Sequence, residues 1–182
     1  MRPVMAQSTS VLDPELVARV RRGEGEALTA IYSQFGGELL SLATRLTGST
    51  HEAEDILHDL IVGLPDAMKS YDDRGKLGVW LKRIVVRMSL MRLRSARRRR
   101  ETALDDAGEL AALTPPAGDT AEAIEHALRG LSPAIRAVVV LRFVEGYSHR
   151  EIADTLGISV DASEARLSRG IVAMRRLLEH LI

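Results

Sequence analysis

The chain contains no cysteine, which excludes a disulfide scaffold, thiolate zinc sites and a cysteine nucleophile. Aromatic residues make up only 3% of it: one Trp, three Tyr and two Phe. Strands draw heavily on aromatic and β-branched residues, so this shortage, beside abundant Leu, Ala and Arg, predicts helices rather than sheets. The longest apolar runs are a few residues long, far short of a membrane span. The first residues lack the basic-then-apolar order of a signal peptide, so a cytoplasmic protein without membrane insertion is expected. There is no P-loop, dinucleotide fingerprint or nucleophile elbow. The five histidines, at 51, 58, 126, 149 and 180, show no metal-ligand spacing. No cofactor and no metal is therefore expected, and catalysis is not.

Net charge is also missing, with 25 basic against 25 acidic residues, but the balance hides a segregation. Residues 74–100 hold eleven Lys and Arg and no acid, and residues 101–128 hold seven acids and no Lys or Arg. Within the basic stretch Leu77, Leu81, Ile84, Met88 and Met91 recur at steps of four and three, lining one face of a helix. Trp80 sits beside that stripe, and Arg83, Arg87 and Arg94 fall off it. A solvated face normally mixes signs to limit self-repulsion; this one does not. A polyanion partner is the better reading, and nucleic acid is the obvious one.

The punctuation of the chain predicts an all-α protein of two small helical domains. Residues 1–12 show no periodicity and read as a disordered tail. Asp13-Pro14-Glu15 is a helix start, with an N-cap, a first-position proline and a first-turn acid. A second helix runs from Glu26 towards Thr47, with Gly36-Gly37 as a weak point and Gly48 placed to end it. Ser49 and Glu52 announce a third as a capping box, and Pro65 is expected to end or kink it at Leu64. Residues 13–100 thus form one domain. The acidic, proline-containing stretch 101–119 has linker composition, and residues 120–182 form the second domain. There Ser132-Pro133 opens one helix, the Ser148/Glu151 capping box opens a short one closed by Gly157, and Ser159 caps the last. Leu167, Ile171, Met174, Leu177, Leu178 and Leu181 form the apolar side of that last helix. Two such helices joined by Leu-Gly-Ile-Ser carry a helix-turn-helix signature.

These residues resemble a family, the extracytoplasmic-function sigma factors of bacterial RNA polymerase. The stretch from Ser49 to Leu60, STHEAEDILHDL, is similar to the family's AEDxxQ[DE] segment, which docks on core polymerase. YDDRGK from Tyr71 and WLKRI from Trp80 resemble the loop and basic helix that capture the melted −10 element. The stretch from Leu131 to Ser159 resembles the −35-binding domain almost position by position. The resemblance implies a protein that catalyses nothing, binds core polymerase, directs it to promoters and assists −10 melting. It implies core polymerase and promoter DNA as partners, together with an anti-sigma factor.

Carried onto this chain, the resemblance assigns core docking to Glu54, Asp55, His58 and Asp59. It assigns −10 contacts to Tyr71, Arg74, Lys76, Lys82, Arg83, Arg87, Arg92 and Arg94. Contacts at −35 fall to Ser148, Arg150, Ser159, Asp161, Ser163, Glu164, Arg166 and Arg169. From the residues alone, the Glu54–Asp59 face reads equally as a solvated helix face, and Tyr71 as either a base-stacking group or a hydrophobic lid. Trp80 reads as core. The chain departs from the family pattern at His58, where Gln is usual, and at Arg87 and Met91, where Asn and Asp are. In the recognition helix DASEARL stands where GTVKSRL is common, so Glu164 replaces a Lys and Ser163 a buried valine. Two other readings of the chain are a sigma-like decoy for an anti-sigma protein and a stand-alone helix-turn-helix regulator of duplex DNA.

Overall fold

The computed structural model describes residues 14–72, 76–102 and 120–179. Among these, eight α-helices and a short 3-10 turn account for the regular structure, with no strand. The first four are α1 (Pro14–Arg21), α2 (Gly25–Thr47), α3 (Thr50–Ala67) and α4 (Leu77–Thr102). The others are α5 (Thr120–Gly130), α6 (Pro133–Phe143), α7 (His149–Leu156) and α8 (Val160–Leu178). The tail at residues 1–12, the cap Asp13, Arg74 in the loop, most of the acidic stretch and Leu181 lie outside the described residues. Glu101 and Thr102, expected in the linker, are the last residues of α4.

Helix α2 is the spine. Ala27, Ile31, Phe35, Leu39, Leu42 and Leu46 are buried along one side of it at steps of four and three, the helical period that makes a continuous seam. It packs on both α3 and α4, and its C-terminal half also packs on α5 and α6. One buried apolar core therefore runs from Val17 in α1 to Ile152 in α7. The Gly36-Gly37 pair does not interrupt α2, because burial on both sides of it outweighs the propensity loss of about 1 kcal/mol per glycine.

The ends of the elements follow local chemistry. Ser49 accepts from the Glu52 amide (3.3 Å) and starts α3. Of the two outcomes the proline predicts, an end or a kink, α3 does not end at Leu64; it runs through Pro65 to Ala67. A proline one turn from a helix end removes a single amide bond to the preceding turn, and the backbone here tightens into the 3-10 turn Met68–Ser70. Ser132 precedes a first-position proline as expected, but its side chain makes no cap bond. Ser148 and Glu151 form both halves of the α7 capping box.

The apolar stripe of α4 is displaced from its predicted positions. Leu77 and Leu81 are buried, but so are Val85, Val86 and Leu90, whereas Met91 is 60% exposed. Two seams explain this: one side of α4 meets α2 and α3, while Val86 and Leu90 turn towards a cleft shared with the second half of the chain. In α8 only Ser163 and Gly170 are buried, and Gly170 has no room for a side chain because a Cβ there would lie 2.5 Å from Val139. Ile171, Met174 and Leu178, with Ile124, Leu128, Val139, Phe143 and Val144, line an apolar groove of about 350 Å³.

Gly48 ends α2 in the left-handed region (φ 78°), and a Cβ there would lie 2.5 Å from a guanidinium nitrogen of Arg136. Gly48→Ala should therefore destabilise the protein by about 1–3 kcal/mol through backbone strain and displacement of that side chain. Gly37, in mid-helix with nothing near its Cβ position, should behave oppositely: Gly37→Ala should stabilise by about 0.5–1 kcal/mol. Urea denaturation of the two variants checks both signs.

Candidate nucleic-acid and polymerase interface

On α3 and α4 the structure brings two of the predicted sets together. Glu54, His58 and Asp59 are exposed and Asp55 half-exposed. Arg92 of α4 reaches across to this face, with one nitrogen 3.2 Å from Glu52 and 3.0 Å from Asp55, and the other 2.9 Å from Asp59. Burial acts to lower the pKa of Arg92, but hydrogen bonds to Asp55, Glu52 and Asp59 outweigh it and raise the value. Glu52 thus gives its carboxylate to Arg92 rather than completing the capping box with Ser49. Arg92, expected to touch phosphate, is committed to the carboxylate face.

The predicted base-reading loop is held from an unexpected direction. Arg21 of α1 donates from Nε to the Met68 carbonyl (3.0 Å) and from Nη2 to the Tyr71 carbonyl (2.9 Å). The Tyr71 ring is buried against Trp80, with centroids 5.0 Å apart and planes inclined at 51°. Of the two readings of Tyr71, this is the geometry of the lid. Lys76 at the start of α4 is exposed.

Along α4, Arg83, Arg87 and Arg94 are exposed and share one side at steps of four and seven. That side forms one wall of a cleft of about 550 Å³, floored by Val86 and Leu90. Glu145, Tyr147, Glu151 and Asp154 form the facing wall. Lys82 lies 2.6 Å from Glu38 of α2 and 3.3 Å from Glu145, whose side chain is only 8% exposed. Burial opposes the charge on Lys82, but the Glu38 hydrogen bond and the Glu145 field together raise its pKa. Burial likewise raises the Tyr147 hydroxyl, against an Arg83 charge and hydrogen bond that lower it. Arg94 donates to the Leu156 carbonyl at the end of α7 (3.0 Å).

In the helix-turn-helix, Arg150, Asp161, Glu164 and Arg169 are exposed and Arg166 is half-buried. The serines have structural jobs. Ser148 engages Glu151, the Glu151 amide donating to its hydroxyl at 3.2 Å, and that backbone and side-chain bonding lowers the Glu151 pKa. Ser159 accepts from the Ala162 amide (3.1 Å). Ser163 is fully buried, its hydroxyl 2.9 Å from His149 Nδ1. A polar pair thus joins the first residue of α7 to the first turn of α8, at the position where the resemblance leads one to expect a buried valine.

Residues 31–99 match the family model of Sigma-70 region 2, and residues 121–174 match that of Sigma-70 region 4. The chain is 30% identical over 169 residues to the ECF RNA polymerase sigma factor SigM of Mycobacterium tuberculosis, covering 93% of this chain and 86% of that protein. It is 25% identical over 182 residues to the ECF RNA polymerase sigma factor SigW of Bacillus subtilis, covering 91% and 96%. Its fold is similar to that of the sigma factor RpoE of Bartonella quintana, solved with the anti-sigma factor NepR. That match has a TM-score of 0.60 at 21% identity and covers 83% of this chain and 96% of the other. The chain belongs to the extracytoplasmic-function family of RNA polymerase sigma factors. It acts in transcription initiation, directing the polymerase to promoters. Among the described residues no helix is long and apolar enough to cross a membrane.

The cross-connections were not legible in the residue pattern. Arg21, Glu38, Arg45, Glu125, Arg136 and Glu145 all make contacts between elements, and only Arg136, a lone charge inside AIRAVVVL, carries a visible signal.

Ser163 and His149 should be energetically coupled. A double-mutant cycle with His149→Ala and Ser163→Ala should give about 0.5–1.5 kcal/mol of interaction in urea denaturation. Simple additivity would show that the two helices are joined by packing alone.

Proposed function

We propose that α1–α4, residues 13–100, form the part that binds core polymerase and the melted −10 element, and that residues 120–182 bind the −35 element. The observation that carries this reading is the division of surfaces on α3 and α4. A carboxylate-bearing face looks one way, and a helix side with Arg83, Arg87 and Arg94 looks another. Glu54, Asp55, His58 and Asp59 dock on polymerase, with Arg92 holding the three neighbouring carboxylates in register. Arg83, Arg87, Arg94 and Lys82 meet phosphate, and the loop that includes Lys76 reads the extruded base. Extrusion costs a few kcal/mol and is offset by pocket and phosphate contacts. Arg150, Arg166 and Arg169 are the cations offered to the −35 duplex. Glu164 and Asp161 lie beside them and nearly cancel the local charge, so this contact is the weaker of the two. The protein performs no catalysis and works in the cytoplasm. An anti-sigma factor is its regulatory partner, a reading supported by the fold shared with a sigma factor solved in such a complex.

Run-off transcription with purified core polymerase is the direct test, since a decoy or a stand-alone regulator yields no transcript. Asp55→Ala with Asp59→Ala should weaken core binding in a pull-down while the helical circular dichroism signal persists; unchanged binding removes the docking assignment.

Salt dependence separates the roles of the arginines. Each phosphate contact contributes about 0.7 to the slope of log affinity against log salt for single strands and about 0.9 for duplex. Replacing Arg83 and Arg87 with alanine should lower the slope of holoenzyme binding to a pre-melted promoter by about one to two units, whereas Arg92→Ala should leave it unchanged. Glu164→Lys should tighten binding to duplex carrying the −35 element. Weaker binding would instead make Glu164 a base-reading group accepting from a cytosine amine.

A further inference from the structure

Helix α7 has little of its own to fix its direction. It is eight residues long, and only Ile152 and Ala153 of it are buried. Apolar burial holds it against the fold but is non-directional, so these two side chains do not set its tilt. At its C-terminal end the turn into α8 does so: Gly157 caps the helix, and the Ile158 amide donates to the Ala153 carbonyl (3.0 Å). The N-terminal end lies about 12 Å from that turn, at about 1.5 Å per residue. It needs a second tie.

That tie is a polar pair. Ser163, in the first turn of α8, is fully buried, and its hydroxyl lies 2.9 Å from Nδ1 of His149, the first residue of α7. A hydroxyl both donates and accepts, so it serves either tautomer of the imidazole. The backbone around His149 is locked as well, because Ser148 and Glu151 bond reciprocally across it in the capping box. Ser159 steadies the start of α8 by accepting from the Ala162 amide. Each partner is therefore presented from a fixed helix end. A hydrogen bond between them depends on direction, which an apolar contact does not. Exposed cations stand on both sides of the pair: Arg150 follows His149, and Arg169 lies beyond Ser163 on α8, its Nε donating to the Ala165 carbonyl (3.2 Å).

We propose that His149 and Ser163 are positioning residues for promoter recognition: their hydrogen bond sets the angle between α7 and α8, and with it the register in which Arg150, Arg166 and Arg169 meet the −35 duplex. The pair itself touches no DNA. Phosphate contacts fix the register of a protein on the duplex, and base-edge contacts then read the sequence. Shifting α7 against α8 misplaces the recognition helix without removing a single cation. Sequence discrimination then falls while the sequence-independent part of binding, which depends on charge, is kept. Loss of stability alone has no such signature. The proposal rests on the assignment of residues 120–182 to the −35 element.

Holoenzyme assembled from the full chain and purified core polymerase gives the test. A duplex library randomised across both promoter elements is selected with the wild-type holoenzyme, and a winner is compared with the same fragment scrambled at −35. Discrimination is the ratio of the two dissociation constants, measured where circular dichroism shows each variant fully folded. His149→Ala and Ser163→Ala should each cut that ratio about three- to tenfold, the range that one hydrogen bond spans. Binding to the scrambled fragment should be unchanged. The double variant should lose no more than either single one. His149→Asn, whose side-chain amide reaches where Nδ1 stood, should keep discrimination; His149→Gln, whose amide lies nearer the Nε2 position, should not. Full discrimination in the folded Ala variants overturns the positioning role and leaves the pair a packing contact. Equal behaviour of the Asn and Gln variants overturns it too, and that contrast decides the matter where the Ala variants fail to fold. A wild-type selection that enriches nothing at the −35 positions shows instead that the domain assignment has failed, and the proposal falls with it.

Discussion

One guanidinium without a carboxylate joins the two halves of this protein. Burying an ion costs several kcal/mol, and Arg136 is 5% exposed, so something must compensate. Burial indeed lowers its pKa, but an arginine side chain stays protonated in any protein environment. The compensation is three backbone carbonyls from two helix ends, Leu46 and Thr47 on α2 and Arg129 on α5, and hydrogen bonds to a charged donor are worth about 1.5–3 kcal/mol each. The balance is close to neutral for stability and highly specific in geometry. Carbonyls at helix ends have fixed directions, so only one placement of α6 against α2 and α5 satisfies all three. Gly48 belongs to the same device, because its missing Cβ is the space that the guanidinium fills.

The position of α6 fixes much else. Helix α6 carries α8 against one side and α7 against another, so seating Arg136 also places the end of α7 at Arg94 and the Glu145–Tyr147 turn over Lys82 and Arg83. The hydrophobic contribution to this seam is real but unspecific. Val86 and Leu90 supply apolar area on α4, and area alone does not choose a register. The polar contacts choose it. Each is exposed or half-exposed apart from Arg136 and Glu145, and pairs of that kind contribute at most about 1 kcal/mol each.

What could be read in the sequence was whatever has a local cause. The capping serines at 49, 148 and 159, the closing glycines at 48 and 157 and the 3.6-residue seam of α2 each follow from short-range chemistry and appear where that chemistry puts them. Pro65 misleads because its effect depends on distance from the helix end, which the residue itself does not encode. Met91 misleads because a helix packed on two sides has two apolar seams, and a single stripe fitted through both lands on an exposed residue. Arg92 and Arg94 look alike among eleven bases, yet one faces carboxylates on α3 and the other a carbonyl on α7. No spacing rule distinguishes them, since their partners are 33 to 62 residues away. Carbonyl acceptors are invisible in principle, because every residue has one. The side chains proposed for −10 and −35 were nameable as such only through the family resemblance, and Ser148, Ser159 and Ser163 show that a matched position can be occupied by a folding role.

The zero net charge takes on meaning from the cleft. A strongly basic helix would bind any polyanion, and the acidic wall formed by Glu145, Glu151 and Asp154 gives it an internal counterion. Any polyanion that takes this helix side must then displace protein carboxylates rather than only mobile salt ions. Salt screens exposed pairs over about 8–10 Å at physiological strength and partly buried pairs much less. Raising salt therefore weakens the competitor DNA more than it weakens the Lys82–Glu145 contact or the buried Arg136 joint. The carboxylate face of α3 lies outside that cleft, so under the proposed docking assignment polymerase binding is exempt from the competition.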